Sequence, residues 1–231
     1  MRKIIVLIFL LFTTLLFSQQ KFSGAIIYNV SLKPRDLSKI ATNDKISEKD
    51  KQTVSTIIKN TNDVESVLKF TKNESIYKII DKMESDADQK INLTKVVAGG
   101  NSIYFTDNST NTFLYQKADG GDFWLIDYLP SKWVLTQETK PIGAYLCYKA
   151  ILNNETNFVW YTPEIPVNFG PQKYHGLPGL VLEVQIGGLL ITATKIILNP
   201  KEVITLKKPI KGIKITEEEY FKKRENIFNR F

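Results

Sequence analysis

Along most of this chain apolar residues come in short runs or alternate with polar ones, and Gly, Asn, Asp and Pro separate the runs. Runs of this kind, rich in β-branched and aromatic side chains, are strand signals. They predict strands over 21–32, 102–106, 112–116, 123–128, 132–138, 143–152, 158–161, 179–185, 190–198 and 202–207. Residues 67–80 read as a hairpin turning near Lys72 and Asn73. Gly187-Gly188 marks another, because primed hairpin turns require positive φ. Helical sequence is sparse. Residues 47–59 carry a thin apolar stripe of Val54, Ile57 and Ile58, and 81–89 is a charged loop. Near the end, Thr216 and Glu219 form a capping box, with Glu217 and Glu218 placed to complement the helix dipole. Tyr220, Phe221, Ile227 and Phe228 would dock that C-terminal helix on the sheet; the alternative is a surface helix that meets a partner. Strands this closely spaced argue for an antiparallel meander rather than βαβ units. The fold class is mainly β: a curved antiparallel sheet or half-barrel with one or two helices, including a C-terminal one.

The first residues interrupt this texture. Arg2 and Lys3 precede 14 residues, Ile4 to Phe17, that are apolar except for Thr13 and Thr14. A bilayer-spanning helix needs roughly 20. The run has the dimensions of an export signal, with cleavage expected after Ser18. The chain therefore divides into a signal peptide at 1–18 and a single β domain at 19–231, with no membrane-spanning segment left after cleavage. Loss of Arg2 and Lys3 lowers the formal charge from +7 to +5. Lysine is spread without an aromatic-interleaved basic stripe, so nucleic acid is not the expected partner.

Candidate chemistry is thin. The sequence holds no Gly-rich phosphate loop, no Gly-x-Ser-x-Gly elbow and no His or Cys pair at zinc spacing. No cofactor is expected. Gly120-Gly121-Asp122-Phe123 is similar to the signature of cyclic-dinucleotide cyclases but lacks its glutamate, and reads as a turn entering a strand. Cys147 is the only cysteine and His175 the only histidine. Cys147 reads as a buried small hydrophobe, with a reactive thiol or an intermolecular bridge as alternatives. Residues 133–182 carry most of the information. Tyr145, Cys147 and Lys149 share one face of a strand whose other face is also semi-apolar, which places that strand centrally. Lys149 then needs a partner, Glu138 or Glu164. The segment after Tyr161 is dense in Pro and Gly, so it is a specified loop that crosses a sheet edge or barrel mouth, or shapes a ligand surface.

Gly176-Leu177-Pro178-Gly179-Leu180-Val181 resembles the hexapeptide of the GLPGLI family of exported proteins from Gram-negative bacteria. Glu138-x-Lys140-x-Ile142-Gly143-x-Tyr145-x-Cys147-x-Lys149-Ala150 resembles the block upstream of it. Trp160 to Pro166 and Gly170-Pro171-x-Lys173 resemble the block leading into it. The resemblance implies a single GLPGLI-type domain in the periplasm or outer cell envelope, and no activity is established for the family. Relatives that carry a second cysteine before the first glycine could pair it with the one at position 147; here that position is His175. The strand count and the turn after Trp160 are also similar to the half-barrel of periplasmic lipoprotein carriers.

The expected function is non-catalytic: binding or carrying an apolar or amphipathic ligand, or an envelope protein, against a curved aromatic sheet. Lipid, a lipoprotein or an outer-membrane protein are the expected partners. The candidate binding and motif residues are Tyr145, Cys147, Lys149, Trp160, Tyr161, Glu164, His175, Gly176, Leu177, Pro178 and Gly179. Alternatives are a thiol or soft-metal site built on Cys147 and His175, an undetected hydrolase, and a scaffold that uses the terminal helix.

Overall fold

The structure, a computed structural model, describes residues 22–32, 47–81 and 92–228. The expected signal at 1–18 lies outside these residues, as do most of the charged loop expected at 81–89 and the side chains of Ile227 and Phe228.

Among the described residues twelve strands form one sheet in the order β12-β6-β5-β4-β3-β2-β1-β11-β10-β9-β8-β7. One meander lays down β1 (Gly24–Leu32), β2 (Val64–Phe70), β3 (Glu74–Ile79), β4 (Ile103–Asp107), β5 (Thr112–Asp119) and β6 (Asp122–Asp127). A second lays down β7 (Trp133–Ile142), β8 (Tyr145–Leu152), β9 (Asn154–Thr162), β10 (Leu180–Ile186) and β11 (Leu189–Leu198). The two join where β1 pairs antiparallel with β11. β6 lies near one end of the sheet and β7 forms the other edge, yet only residues 128–132 separate them. A link of that length spans at most about 20 Å, so the sheet must curl until its ends approach. The half-barrel form follows from the connectivity.

Period-2 burial explains the strands. On β1, Gly24, Ile26, Tyr28 and Val30 are buried while the residues between them are half-exposed. The β5–β6 turn puts Gly120 at φ 64° and Gly121 at φ 86°, as a two-residue primed turn requires. Gly187, at φ 58°, does the same between β10 and β11. Helix α1 (Glu48–Lys59) is capped by the Ser47 side chain and buries none of its residues. The short α2 (Leu93–Val97) touches β1. Helix α3 (Glu217–Phe228) opens with the expected capping box: Thr216 donates through its hydroxyl to Glu219 at 2.7 Å, and Glu219 N donates back at 3.3 Å. It docks through Tyr220, which is 3% exposed, whereas Phe221 is 56% exposed.

The inner face is covered from within the chain. Residues 163–179, between β9 and β10, fold back over it, burying Ile165, Val167, Phe169 and Leu177. The loop is tied by its own backbone, with Gly176 N donating to Asn168 O at 2.8 Å and Leu180 N to Ile165 O at 3.1 Å. Burial of each large apolar side chain stabilises it by roughly 1.5–3 kcal/mol.

Four expectations change. The strand expected at 202–207 is absent: the chain there has no regular structure, and the next strand, β12 (Ile213–Thr216), comes later. Pro209 cannot donate to a ladder, and the lysines before it face solvent. Second, β12 runs parallel to β6, from Ile213 opposite Trp124 to Thr216 opposite Asp127, so the sheet is mixed. Third, the strand carrying Cys147 is not central. β8 has neighbours on both sides, which accounts for its two-sided apolar character, but it lies next to the edge strand. Finally, α2 is a third helix, too short to leave a periodic signature. No helix among the described residues is long and apolar enough to cross a membrane.

Candidate functional site

The sequence-predicted residues fall into two groups. The first lies on β8, β9 and the turn that follows. Cys147 is fully buried, its thiol directed at the carbonyl of Tyr145 at 3.7 Å. Burial pushes its pKa up to about 11 against the opposing pull of Lys140, so the thiolate is scarce at neutral pH. Lys149 resolves the choice of partner: its ammonium meets both carboxylate oxygens of Glu138 at 3.0 Å and lies 4.7 Å over the Phe158 ring. Glu164 instead accepts from the backbone N–H of Leu146 at 2.9 Å, at the start of β8. Trp160 is covered by the Lys140 ammonium at 4.7 Å, and that lysine pairs with Glu183 at 2.7 Å. Tyr161 is buried against Tyr148, with 6.1 Å between ring centroids, and Tyr145 is half-buried. These contacts build the β7–β10 end of the sheet.

The second group is the hexapeptide. Gly176 has φ 89°, a conformation open to glycine. Gly179 is required by close approach, since a Cβ there would lie 2.2 Å from the Thr162 carbonyl oxygen. Leu177 is 2% exposed between them and Pro178 faces solvent. The motif seats the loop.

His175 links the two ends of the curled sheet. Its ring stacks on Phe113 of β5 at 5.1 Å, its Nε2 lies 3.2 Å from the Tyr128 hydroxyl after β6, and its carbonyl accepts from Trp133 Nε1 of β7 at 2.8 Å. Burial lowers its pKa from 6.5 to about 4, so the imidazole is neutral. The Tyr128 phenol is held protonated by burial. The two neutral groups share a hydrogen bond whose direction is set by the imidazole tautomer, and the phenol oxygen also lies 3.5 Å from the Thr106 hydroxyl. The Cys147 thiol turns to the Tyr145 carbonyl and the His175 ring to Tyr128 and Phe113, and among the described residues no group of three or more His, Cys, Asp or Glu side chains could hold a metal ion.

Sequence reasoning missed two features. Tyrosines of β1, β3, β4 and β5, with Tyr128 after β6, form a row of ring contacts along the inner face: Tyr28 to Tyr77 at 6.5 Å, Tyr77 to Tyr104 at 5.9 Å, Tyr104 to Tyr115 at 5.1 Å and Tyr115 to Tyr128 at 6.2 Å. It ends on His175, 5.8 Å beyond Tyr128. Burial raises the pKa of every phenol in the row, so all are neutral. The loop packs on β2 and α2 beside it: Phe169 meets Phe70 at 6.2 Å, and Gln172 donates to Val97 O at 3.3 Å.

The second feature is a cleft of about 360 Å³ where the row reaches the surface between α2, β4–β5 and α3. Tyr104 and Tyr115 line its depth, while Val96 (59% exposed), Val97 (42%) and Phe221 (56%) form an apolar rim. Lys117 and Lys173 supply positive charge, and Glu217 holds Lys173 at 2.7 Å while accepting from the Tyr115 hydroxyl at 3.2 Å. Each of these tyrosines is visible in the sequence, but their alignment appears only with the strand register.

Comparisons with known proteins bear on the fold and on one segment. A family model described as "Protein of unknown function (Porph_ging)" matches residues 151–183, which run from the end of β8 through the loop to β10. No curated protein matches the chain. Two solved structures of PNGF-II, in the C2 and P21 space groups, are similar at 16% identity, with TM-scores of 0.49 and 0.50. Each alignment covers 87% of this chain and 32% of the other, so the chain spans about a third of their length. At that identity the likeness concerns the fold alone: a mainly β chain built on one open, curved, mixed sheet, with a family of unknown function matching its loop and flanking strands.

Proposed function

We propose that this chain is an exported, non-catalytic binding protein that takes an amphipathic ligand, an apolar chain with an anionic end, in the cleft between α2 and α3. The observation that carries the reading is the composition of that cleft. Exposed Val96, Val97 and Phe221 surround two neutral tyrosines, with the Lys117 ammonium and the Lys173–Glu217 pair beside them. Exposed apolar side chains around a concavity of this size are what a ligand of mixed character buries. Tyrosine suits the floor, because its ring offers apolar area and its hydroxyl a polar handle. The leader at 1–18 and the resemblance to the GLPGLI family support an envelope location for the same reading. Cys147 and His175 serve in it as buried structural groups.

Decanoate is a suitable probe, and its binding can be followed by calorimetry with the full chain. The reading expects saturable one-to-one binding that Val96→Asp or Phe221→Ser weakens about tenfold or more, since each removes apolar contact at the rim. Absence of saturable binding by the unaltered chain, or equal binding by both variants, would overturn it.

A further inference from the structure

Residues 201–214, irregular as far as Gly212 and then entering β12, form a strap on the outer face of β4–β6, opposite the cleft. The strap is anchored at three points. The Lys208 ammonium lies 5.9 Å over Phe105, and the Lys211 ammonium lies 3.7 Å over Phe123. Gln116 Nε2 donates to the Lys211 carbonyl at 2.5 Å. At Gly212 the strap runs so close to β6 that a Cβ would lie 2.8 Å from the carbonyl carbon and oxygen of Phe123. Its residues divide by exposure: Ile204, Leu206 and Pro209 are half-buried, while Val203, Thr205, Lys207 and Ile210 face outward.

That outward row is unusual for a surface with no further partner. Val203 is 87% exposed, Ile210 84% and Ile213 53%. Among these aliphatic side chains stand Lys201, Lys207, Lys208, Lys211 and Lys214, against a single acid, Glu202. The acid of the sheet that faces the row is Asp127, which pairs with Lys214 at 3.3 Å. We infer that this strap docks the protein on an anionic lipid surface, with Lys201 and Lys207 at the headgroups and Val203 and Ile210 inserted beside them. Interleaved aliphatic and lysine side chains match the interface of a bilayer, apolar below and anionic above. A nucleic acid would call for outward arginine or aromatic side chains, and the outward row has neither. The inference concerns a surface separate from the cleft, and stands or falls independently of what the cleft binds.

Co-sedimentation of the full chain with vesicles tests it, comparing equal parts phosphatidylglycerol and phosphatidylcholine with phosphatidylcholine alone. The apolar leader is common to every variant, so differences between variants report the strap. Each lysine near an anionic surface contributes roughly fivefold to partitioning. Reversing two, in Lys201→Glu with Lys207→Glu, is expected to lower partitioning to the anionic vesicles by at least about 25-fold, from the two lost lysines alone. Ile210→Ser is expected to lower it roughly tenfold. Binding by the unaltered chain should also weaken as salt screens the lysines. Val96→Asp in the cleft should partition normally. Unchanged far-UV spectra and melting temperatures establish that the variants fold. Partitioning that does not distinguish the two vesicles, or that survives the strap substitutions, would overturn the inference. So would equal binding to heparin together with indifference to Ile210→Ser, which would make the strap a site for soluble polyanions.

Discussion

Acidification should weaken this fold through His175. The side chain is 2% exposed, wedged between Phe113 and Tyr128, and its Nε2 faces the Tyr128 phenol. Protonation would place a charge where the protein has removed water and would leave both ring nitrogens as donors. In the unfolded chain the imidazole takes its proton near 6.5; in the folded chain burial delays this to about 4. Between those values the unfolded state binds more protons, so stability falls as pH falls. The contribution is fully present above pH 6.5 and lost progressively as pH drops through about 4. A difference of that size corresponds to about 3 kcal/mol. For a domain of this length, 1 kcal/mol moves the melting temperature by roughly 2–4 °C. The assay is the melting temperature between pH 7 and pH 4, for the unaltered chain and for His175→Gln. Carboxylates titrate alike in both, so the difference isolates the imidazole. The unaltered chain should lose about 6–12 °C more than the variant over this range. Parallel curves would refute a buried, neutral His175.

Other perturbations separate packing from surface effects. Gly179→Ala puts a Cβ against the Thr162 backbone and should destabilise by about 3 kcal/mol, whereas Gly176→Ala meets open space and carries only backbone strain of about 1 kcal/mol; denaturant midpoints should rank them in that order. The Cys147 thiol, buried and with its pKa raised to about 11, should react with a disulfide reagent at pH 8 only as fast as the fold opens, and stoichiometric labelling of the native chain within seconds would contradict its burial. Asp119 accepts hydrogen bonds from both Tyr220 and Arg224 of α3, so Asp119→Asn should loosen that helix and cost about 1–2 kcal/mol, read by Trp124 fluorescence, since that indole packs 5.9 Å from Tyr220.

What the sequence disclosed and what it withheld follow from the range of the interactions. Period-2 alternation, the Thr216–Glu219 capping box and the glycine hairpin at 187 are local, and each appears where the pattern places it. The Pro- and Gly-rich segment was legible as a specified loop, because Gly176 and Gly179 are required by dihedral and by contact. Its seat was not legible, because the inner face it covers is assembled from strands distant in sequence. Register also decided Lys149: β7 and β8 pair through an irregularity between Leu135 and Thr139, and Glu138 of that stretch meets the ammonium while Glu164 turns to Leu146. Segment 202–207 has the composition of a strand but finds no ladder. The tyrosine row and the cleft needed register, curl and α2 together, and the five residues of α2 leave no helical period to read.

The most direct test of the cleft reading is a chemical-shift map of the isotope-labelled chain titrated with decanoate. The account predicts saturable perturbations concentrated on Val96, Val97, Tyr104, Tyr115, Lys173 and Phe221, with the strap at 201–214 and the buried β8–β9 residues around Cys147 undisturbed. Perturbations centred on Cys147 and Trp160, or none at saturating decanoate, would contradict it.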